Sequence, residues 1–265
     1  MSIALRSELD VCVDALATAA AERVPIEPLS TTYPELTVED AYAIQAAGIE
    51  RRLAEGRLVR GRKAGLTSAA MQDQLGVDEP DFGTLLDDML VEDGDEIAVD
   101  RLIQARAEAE IGFVLERDLA GPGVTTSDVL RATDGVVACI EVIDSRIEDW
   151  KIGLVDTVAD NASSAFAVTS GRLVPVGDLD LRLVGMAFYR NGELVETGAG
   201  AAVLGNPARC VAWLANKLGQ FGEALRAGDL VLAGALHKSV AVEPGDVFRA
   251  ELNHLGSVTT RFSDA

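Results

Sequence analysis

Cysteine and histidine, two residue types that commonly bind zinc, are scarce in this chain of 265 residues. The three cysteines, Cys12, Cys139 and Cys210, are odd in number and widely spaced, so we expect buried free thiols and no disulfide framework. His237 and His254 are the only histidines, and neither belongs to an HExxH motif or a Cys/His cluster. A zinc site is therefore not expected. Any metal would be held by carboxylates, which favours a hard ion such as Mg²⁺ or Mn²⁺.

Basic residues are also few, because 23 Lys and Arg stand against 43 Asp and Glu and give a formal net charge of −20. A surface this acidic repels phosphate groups, so binding to nucleic acid or to anionic membranes is disfavoured. The sequence lacks an apolar run of membrane-spanning length, and its first residues lack the apolar stretch of a signal peptide. With 48% hydrophobic residues the chain should fold into a globular protein, which we expect in the cytoplasm.

Hydrophobic spacing divides the chain into a helical amino-terminal part and a larger, mainly β part. Apolar residues recur at helical intervals over 9–20, and Thr37 with Asp40 forms a capping-box pattern that opens a helix ending at Gly56. Strand-like stretches follow at 59–67, 105–115, 136–144, 184–189, 230–236 and 247–262. We therefore predict an α+β protein with a helical region over 1–60 and a mixed β domain over 61–265.

Turn and cap signals subdivide the β domain. Asn191-Gly192 between apolar pairs predicts a two-residue hairpin. Helices are expected over 68–75, near Thr126 and after the Asn206-Pro207 cap. The acidic segment 78–83 has the composition of a turn, so Asp81 is expected in a loop, either solvated or supplying a catalytic acid.

Three glutamates in two predicted strands form the first candidate site. Glu108 and Glu110 are two residues apart and share one face of a strand. Adjacent carboxylates repel each other unless a divalent cation lies between them; the alternative is a strand with a solvated, charged face. Glu141 interrupts an apolar run typical of a buried strand, so it needs a partner. That partner is either a metal ion shared with the other two glutamates or a salt bridge to Arg146 or Arg106.

Lys63 is the second candidate, because it lies in a glycine-flanked basic pair on a strand that leads into a predicted helix. A lysine in this setting can act as an acid or base, or can bind a substrate carboxylate. The alternative is a surface lysine whose ammonium group extends into solvent.

Two other features carry weaker signals. The glycine-rich segment 197–202 is not GxGxxG and follows a hairpin, so it does not predict a dinucleotide site, although its backbone amides could bind an anion. His237 follows a predicted strand and is interpreted as a structural residue.

Taken together, these segments resemble the 2-hydroxypenta-2,4-dienoate hydratases (2-keto-4-pentenoate hydratases) of the fumarylacetoacetate hydrolase-like superfamily. The resemblance covers nearly the whole chain in order. It rests on GRKAGLTS at 61–68, LGVDEPDFG at 75–83, RAEAEI at 106–111, EVIDSR at 141–146, DTVADNASS at 156–164 and TGAGAAVLG at 197–205. Ala105 departs from the proline that relatives often have at this position.

The resemblance implies a fumarylacetoacetate hydrolase-like mixed β fold, similar to a β-roll or barrel, with a helical amino-terminal region and a catalytic domain over 61–265. It implies three ligands for Mg²⁺ or Mn²⁺: Glu108, Glu110 and Glu141. It implies two catalytic residues, Lys63 and Asp81. It also implies residues that help to enclose the substrate: Ser163, Ser164, Gly198 and Gly200.

The implied reaction is the addition of water to 2-hydroxypenta-2,4-dienoate, giving 4-hydroxy-2-oxopentanoate in the meta-cleavage degradation of aromatic compounds. The resemblance also implies a homo-oligomer, with association with the decarboxylase of the pathway as a further expectation. Two alternatives remain: the sister 2-oxo-3-hexenedioate (4-oxalocrotonate) decarboxylase, and a catalytically silent acidic protein that binds metal or serves in assembly. Ile147 and Trp150 stand where the decarboxylases carry Tyr and Phe, which favours the hydratase.

Overall fold

The structure is a computed structural model that describes residues 3–68, 72, 77 and 79–264. Its helices are α1 (Ile3–Glu22), α2 (Leu29–Thr32), α3 (Val38–Ala54), α4 (Thr126–Ala132), α5 (Leu154–Ala159) and α6 (Pro207–Gln220). Its strands are β1 (Val59–Gly65), β2 (Asp81–Leu86), β3 (Leu90–Glu92), β4 (Glu96–Ile97), β5 (Arg106–Leu115), β6 (Thr133–Ile143), β7 (Ser164–Thr169), β8 (Gly185–Arg190), β9 (Glu193–Ala199), β10 (Leu230–Ala235), β11 (Val240–Ala241), β12 (Val247–Leu252) and β13 (Gly256–Phe262).

The amino-terminal helices form as predicted. The Thr37 hydroxyl accepts a hydrogen bond from the Asp40 amide at 3.2 Å, and the Asp40 carboxylate accepts one from the Thr37 amide at 3.0 Å, so the capping box that opens α3 is confirmed. Gly56 follows the end of α3 with φ +93°, a conformation that favours glycine. The helix predicted over 68–75 falls largely outside the described residues.

The strands form two mixed sheets. The larger sheet has the order β2-β1-β10-β5-β6-β7-β3, with β11 paired to β5, and the smaller sheet has the order β4-β13-β12-β8-β9. In the larger sheet β1 pairs with β10 in parallel, although the two strands are far apart in the sequence, and the central pair β5 and β6 is antiparallel. This sheet curls so that β2 contacts β7, while the smaller sheet packs on the outer side of β6 and β7. The inner face of the curled sheet therefore encloses a space.

Apolar side chains fill both sides of the curled sheet. The larger core lies on the outer face and includes the fully buried Phe113 and Phe248, together with Leu9 and Ile44 from the amino-terminal helices. A smaller apolar cluster fills one end of the inner face. Both faces of the central strands are buried, which explains the nearly continuous apolar run of β6. The helices of 1–60 share a core with the sheets, and the division at residue 60 stays a prediction.

Several local predictions are confirmed and one is wrong. Asn191 and Gly192 have φ of 54° and 84° and join β8 to β9 in the predicted hairpin, and all three cysteines are buried and free. Asp81 does not lie in a loop, because it begins β2, whose residues are all buried. The last three residues of the predicted turn segment 78–83 belong to β2, where they pair with β1. Among the described residues, none of the helices has the length and apolarity to cross a membrane.

Candidate active site

The central strands bring the three glutamates together on the inner face of the curled sheet. Glu108 of β5 and Glu141 of β6 are direct partners in the antiparallel register, and Glu110 lies two residues further along β5. One carboxylate oxygen from each of the three lies within 4.8 Å of the others. Glu110 and Glu141 are fully buried and Glu108 is half-buried, so the alternative of a solvated, charged strand face is wrong.

Lys63 reaches the same cluster through the pairing of β1 with β10. Lys63 is in register with Leu232, and Leu232 is in register with Gly112 of β5. Cross-strand partners project to the same face of a sheet, so Lys63 shares the face of the glutamates. The residue is 3% exposed, and its Nζ lies 3.3 Å from Oε1 of Glu141. The alternative of a surface lysine is therefore wrong.

Glu141 has a different cationic partner from those expected. Arg146 forms an ion pair with Asp160, and the Arg106 guanidinium lies 4.9 Å from the centre of the Trp150 ring. The partner of Glu141 is Lys63, which the sequence places 78 positions away. The predicted salt bridge from Glu141 to Arg146 or Arg106 is therefore wrong. The strand order explains the observed pairing, because only β10 lies between β1 and β5 in the sheet.

Asp81 faces Lys63 across the first residues of the β1–β2 ladder. It pairs in register with Gly65, is 1% exposed, and accepts a hydrogen bond from the Thr157 hydroxyl at 3.1 Å. Its other oxygen, Oδ1, has no hydrogen-bond partner among the described residues. A Cβ atom on Gly65 would lie 2.2 Å from Oδ1 of Asp81 and 3.4 Å from Nζ of Lys63. Glycine at position 65 therefore leaves the space into which both groups project.

Burial and mutual repulsion control the ionisation of this cluster. Burial and, to a smaller extent, the nearby Glu141 carboxylate raise the pKa of Glu108 to about 7 against the opposing effect of Lys63. Burial also raises the pKa of Glu110 well above its usual value, with Glu141 and Glu108 acting in the same direction. Burial lowers the pKa of Lys63, but Glu141 and Asp81 outweigh this effect and the net pKa is raised. The cluster thus has an excess of carboxylates over cations.

The residues fit a divalent metal ion. Oε1 of Glu110 and Oε2 of Glu141 are buried and lack hydrogen-bond partners in the described part of the chain. A buried acceptor left in this way costs about 1–3 kcal/mol or more, which a bound cation would offset. The second oxygen of Glu110 accepts a hydrogen bond from the Gly234 amide at 2.7 Å, which fixes the carboxylate. An all-oxygen donor set suits Mg²⁺, Mn²⁺ or Ca²⁺.

We expect the metal-free protein to lose stability as the pH rises between about 5 and 8. The folded-state pKa of Glu108 is raised to about 7, so its contribution is complete below the unfolded pKa of about 4.5 and is lost as the pH rises through 7. Urea unfolding in the presence of a chelator would measure the change, and saturating Mg²⁺ should reduce it because the cation replaces the proton. Glu108→Gln should flatten the dependence. A flat profile in the metal-free wild type would contradict this account of the cluster.

The two serines predicted to bind substrate lie beside the cluster but point to different partners. The Ser164 hydroxyl donates to Oε1 of Glu141 at 3.4 Å, and the Ser163 hydroxyl lies 3.4 Å from Oδ2 of Asp160. The structure therefore brings Ser164 to the carboxylates, whereas Ser163 belongs to the adjoining turn. Their role in binding substrate stays a prediction.

Gly198 and Gly200 occupy positions of close backbone packing. A Cβ atom on Gly198 would lie 2.1 Å from the Leu236 carbonyl oxygen, and one on Gly200 would lie 1.8 Å from that of Leu181. These contacts require glycine, and they join the smaller sheet to its neighbours. That the two glycines enclose the substrate also stays a prediction.

Sequence reasoning missed three polar contacts of the site. They are the Thr157 hydroxyl on Asp81, the Ala162 carbonyl that accepts from Nζ of Lys63 at 3.0 Å, and the Gly234 amide on Glu110. Two of the three are backbone groups, which have no side-chain signature. Thr157 and Ala162 do lie in the segment 156–164 that carried the family resemblance, and this was the available signal.

His237 is a structural residue, as predicted. Its Nε2 accepts a hydrogen bond from the Ala109 amide at 2.8 Å, and its Nδ1 lies 2.6 Å from the Lys238 carbonyl oxygen, to which it donates. Burial lowers its pKa to about 4, so the ring is neutral. Both ring nitrogens are occupied by the backbone.

The fold and the site together define a β-roll protein with a carboxylate-rich site inside the curled sheet. The chain belongs to the fumarylacetoacetate hydrolase family, because the family model described as "Fumarylacetoacetate (FAA) hydrolase C-terminal" matches residues 59–263. The predicted α+β fold of this family, with helices at the amino terminus, is thereby confirmed.

Proteins of similar sequence include hydratases of the same family. The chain is 54% identical over 238 residues to a 2-keto-4-pentenoate hydratase of Paraburkholderia xenovorans (strain LB400), covering 90% of this chain and 88% of that protein. It is 51% identical over 210 residues to a 2-hydroxypent-2,4-dienoate hydratase of Pseudomonas putida, covering 79% of this chain and 95% of that one. The predicted resemblance, and the prediction of an enzyme of the hydro-lyase type, are confirmed.

A solved structure extends the comparison to a sister reaction. The 4-oxalocrotonate decarboxylase from Pseudomonas putida G7, complexed with magnesium and adipate, superposes with a TM-score of 0.93 at 41% identity. The alignment covers 97% of this chain and 98% of that one. Nearly the whole chain, with most of its amino-terminal helical region, thus has a counterpart in that structure.

Proposed function

We propose that the protein is a metal-dependent hydratase that adds water to 2-hydroxypenta-2,4-dienoate and gives 4-hydroxy-2-oxopentanoate in aromatic catabolism. The observation that carries the proposal is the buried cluster of three glutamates with Lys63 and Asp81, in a chain 54% identical to a 2-keto-4-pentenoate hydratase. The cluster offers carboxylate oxygens for a metal ion, a cation in Lys63 and, on Asp81, a further oxygen without a partner among the described residues, which are the groups that such a reaction needs.

Glu108, Glu110 and Glu141 would hold Mg²⁺ or Mn²⁺. Their converging oxygens, two of which lack partners among the described residues, support this assignment. The decarboxylase at 41% identity was solved with magnesium, which also supports it. When bound, the ion supplies Lewis-acid polarisation of the carboxylate and the 2-oxygen of the substrate.

Lys63 would act as the cationic acid of the site. Its ammonium group donates to the Ala162 carbonyl and contacts Glu141, so two of its three N–H bonds are directed by the protein. The third is available to a developing negative charge on a substrate oxygen, or to deliver a proton to carbon. Proton transfer of this kind is general acid catalysis, which requires the group within hydrogen-bond reach of the substrate.

Asp81 would act as the base. Oδ2 is engaged by Thr157, whereas Oδ1 projects beside Gly65 toward the space that Lys63 also faces. In the proposed sequence the dienol loses its hydroxyl proton and gains a proton at C5, which gives the 2-oxo-3-enoate. Water then adds its oxygen to C4 and a proton to C3. Asp81 would accept the proton that the water molecule loses as it attacks.

Decarboxylation of 2-oxo-3-hexenedioate is the second candidate, because the decarboxylase structure superposes on nearly the whole chain. The higher identity to hydratases, 54% and 51%, favours hydration. Ile147 is fully buried in the outer core, and Trp150 lies beside Arg106, which shares a strand face with Glu108. Ile147 and Trp150 are the two residues expected to differ between hydratases and decarboxylases. Of these, only Trp150 contacts Arg106, the residue next to Glu108 on the same strand face.

We expect the purified protein with Mg²⁺ to remove the ultraviolet absorbance of 2-hydroxypenta-2,4-dienoate and to release no carbon dioxide from 2-oxo-3-hexenedioate. The same absorbance assay after treatment with a chelator is the control, and its rate should fall to background. Carbon dioxide release from the diacid at a rate above that of dienol hydration would reverse the assignment. No metal-dependent change with either substrate would favour the silent acidic protein.

The same resemblance supports a proposal on the assembly and location of the protein. We propose a homo-oligomer in the cytoplasm that can associate with the decarboxylase of its pathway. Light scattering on the purified protein, alone and mixed with that decarboxylase, would measure both associations.

A further inference from the structure

The turn that joins α5 to β7 has an uncommon backbone conformation. Asn161, Ala162 and Ser163 have φ of 54°, 51° and 52°, so three consecutive residues other than glycine are left-handed. Contact between Cβ and the backbone makes this conformation unfavourable for each of them. Such residues persist only where the surroundings impose the conformation, and they are concentrated at functional sites. We call residues 161–163 the left-handed turn.

A buried ion pair holds the two ends of the left-handed turn. Asp160, which precedes it, accepts a hydrogen bond from the Arg146 amide at 3.0 Å and forms an ion pair with the Arg146 guanidinium. The same guanidinium donates to the carbonyl oxygens of Asp144 at 2.6 Å and Ser164 at 3.3 Å. One arginine thus connects the residue before the turn to the residue after it.

The Asn161 side chain ties the left-handed turn to β2. Its Oδ1 accepts a hydrogen bond from the Thr84 amide at 2.7 Å, and its Nδ2 donates to the Thr84 carbonyl at 3.0 Å. A Cβ atom on Gly83 would lie 2.5 Å from the Asn161 carbonyl oxygen, so the turn lies directly against this strand. Asp81 begins the same strand three residues before Thr84.

The turn presents a backbone acceptor to the candidate site. The Ala162 carbonyl accepts a hydrogen bond from Nζ of Lys63 at 3.0 Å, and Ser164, just after the turn, donates to Glu141. We infer that Asn161 is a positioning residue: through the left-handed turn it fixes the Ala162 carbonyl and so directs the Lys63 ammonium group toward the substrate. The inference rests on the proposed function, in which Lys63 is catalytic.

Asn161→Gly isolates this role. The substitution removes both hydrogen bonds to Thr84 but places at position 161 the residue that adopts the left-handed conformation most readily, so the fold should be kept. Asn191→Gly is the matched control. Asn191 has the same φ of 54°, and its side chain also bridges two groups, the Asp246 carboxylate at 2.7 Å and the Val247 amide at 2.9 Å. It lies in the β8–β9 hairpin of the smaller sheet.

We expect Asn161→Gly to lower kcat about tenfold or more, since a small misplacement of a catalytic group has effects of this size. KM and the affinity for Mg²⁺ should change little, because the three glutamates lie on β5 and β6 and not on the turn. Asn191→Gly should leave kcat unchanged. If Asn161 stabilised the fold and did nothing else, both variants would have a lower unfolding midpoint. The kcat of each folded molecule would then be unchanged in both.

Chemical modification of Lys63 supplies a measurement that does not depend on turnover. Reductive methylation with formaldehyde, followed by peptide mass spectrometry, should modify the 3%-exposed Lys63 slowly in the wild type and several-fold faster in Asn161→Gly alone. Lys151, Lys217 and Lys238 are internal references. Equal kcat and equal labelling of Lys63 in the two variants would overturn the inference. A wild type without hydratase activity would overturn the proposed function, and the labelling contrast would then test the positioning of Lys63 by itself.

Discussion

Replacing Lys63 by alanine, or Asp81 by asparagine, is expected to lower turnover by about 10²–10⁴-fold, the usual loss when a general acid or base is removed. The ammonium group of Lys63 and Oδ1 of Asp81, which has no partner among the described residues, project toward one space beside Gly65, and both residues are buried. Steady-state kinetics at saturating Mg²⁺ would measure the loss. Circular dichroism and the unfolding midpoint would show that the fold is kept.

Lys217→Ala is the matched control for the lysine variant. Lys217 is also a shielded, ion-paired lysine, with its Nζ 2.8 Å from Glu79, but it lies on α6 and contacts none of the three glutamates. Its loss should leave turnover within about twofold of the wild type, as is usual for a residue with no catalytic contact. If Lys63→Ala or Asp81→Asn were as active as this control, the residue concerned would have no part in the chemistry.

The pH dependence of the two variants separates their roles. A base must be unprotonated to act, so kcat/KM of the wild type should rise with pH through the pKa of Asp81 if this residue is the base. Burial raises that pKa above its usual value, while Lys63 opposes the shift. Asp81→Asn should abolish the rising limb, whereas Lys63→Ala should retain it.

The cluster of three glutamates could be predicted because the sequence pattern around each of them conflicts with its expected surroundings. Glu141 stands alone in an apolar strand, and Glu108 and Glu110 repel each other on one face, so each violates a rule of burial or charge that only a partner can satisfy. The antiparallel register of β5 and β6 then places Glu108 directly opposite Glu141. The strength of this prediction came from local chemistry.

The partner of Glu141 could not be predicted in the same way. Arg146 is near in the sequence, but Lys63 is nearer in space because β1 inserts beside β10 in parallel. That pairing depends on packing across the whole domain, which periodicity does not record. The prediction of a loop at Asp81 is wrong for a related reason, since the turn residues before it conceal the start of a buried strand. The Ala162 carbonyl and the Gly234 amide are backbone groups whose role depends on conformation alone.

The glutamate variants should separate metal binding from stability. Glu110→Gln and Glu141→Gln are each expected to weaken Mg²⁺ binding about 10²-fold or more and to lower turnover accordingly, because a neutral amide replaces an anionic ligand. Their effects on the metal-free fold should differ in sign. Glu110→Gln removes a buried charge that has one backbone donor and two like-charged neighbours, so the free energy of unfolding should rise by about 1–3 kcal/mol.

Glu141→Gln removes the same kind of charge but also leaves the Lys63 ammonium group without its 3.3 Å partner. A buried ion pair broken from one side is destabilising, so this variant should gain no stability and should lose some. Calorimetric titration with Mg²⁺ and urea unfolding without metal would measure the two effects. Glu251→Gln, on the smaller sheet and paired with Arg249, should change neither metal affinity nor turnover. Full activity of the wild type in excess chelator would contradict the metal site, whereas equal stabilisation by both variants would contradict the pairing of Glu141 with Lys63.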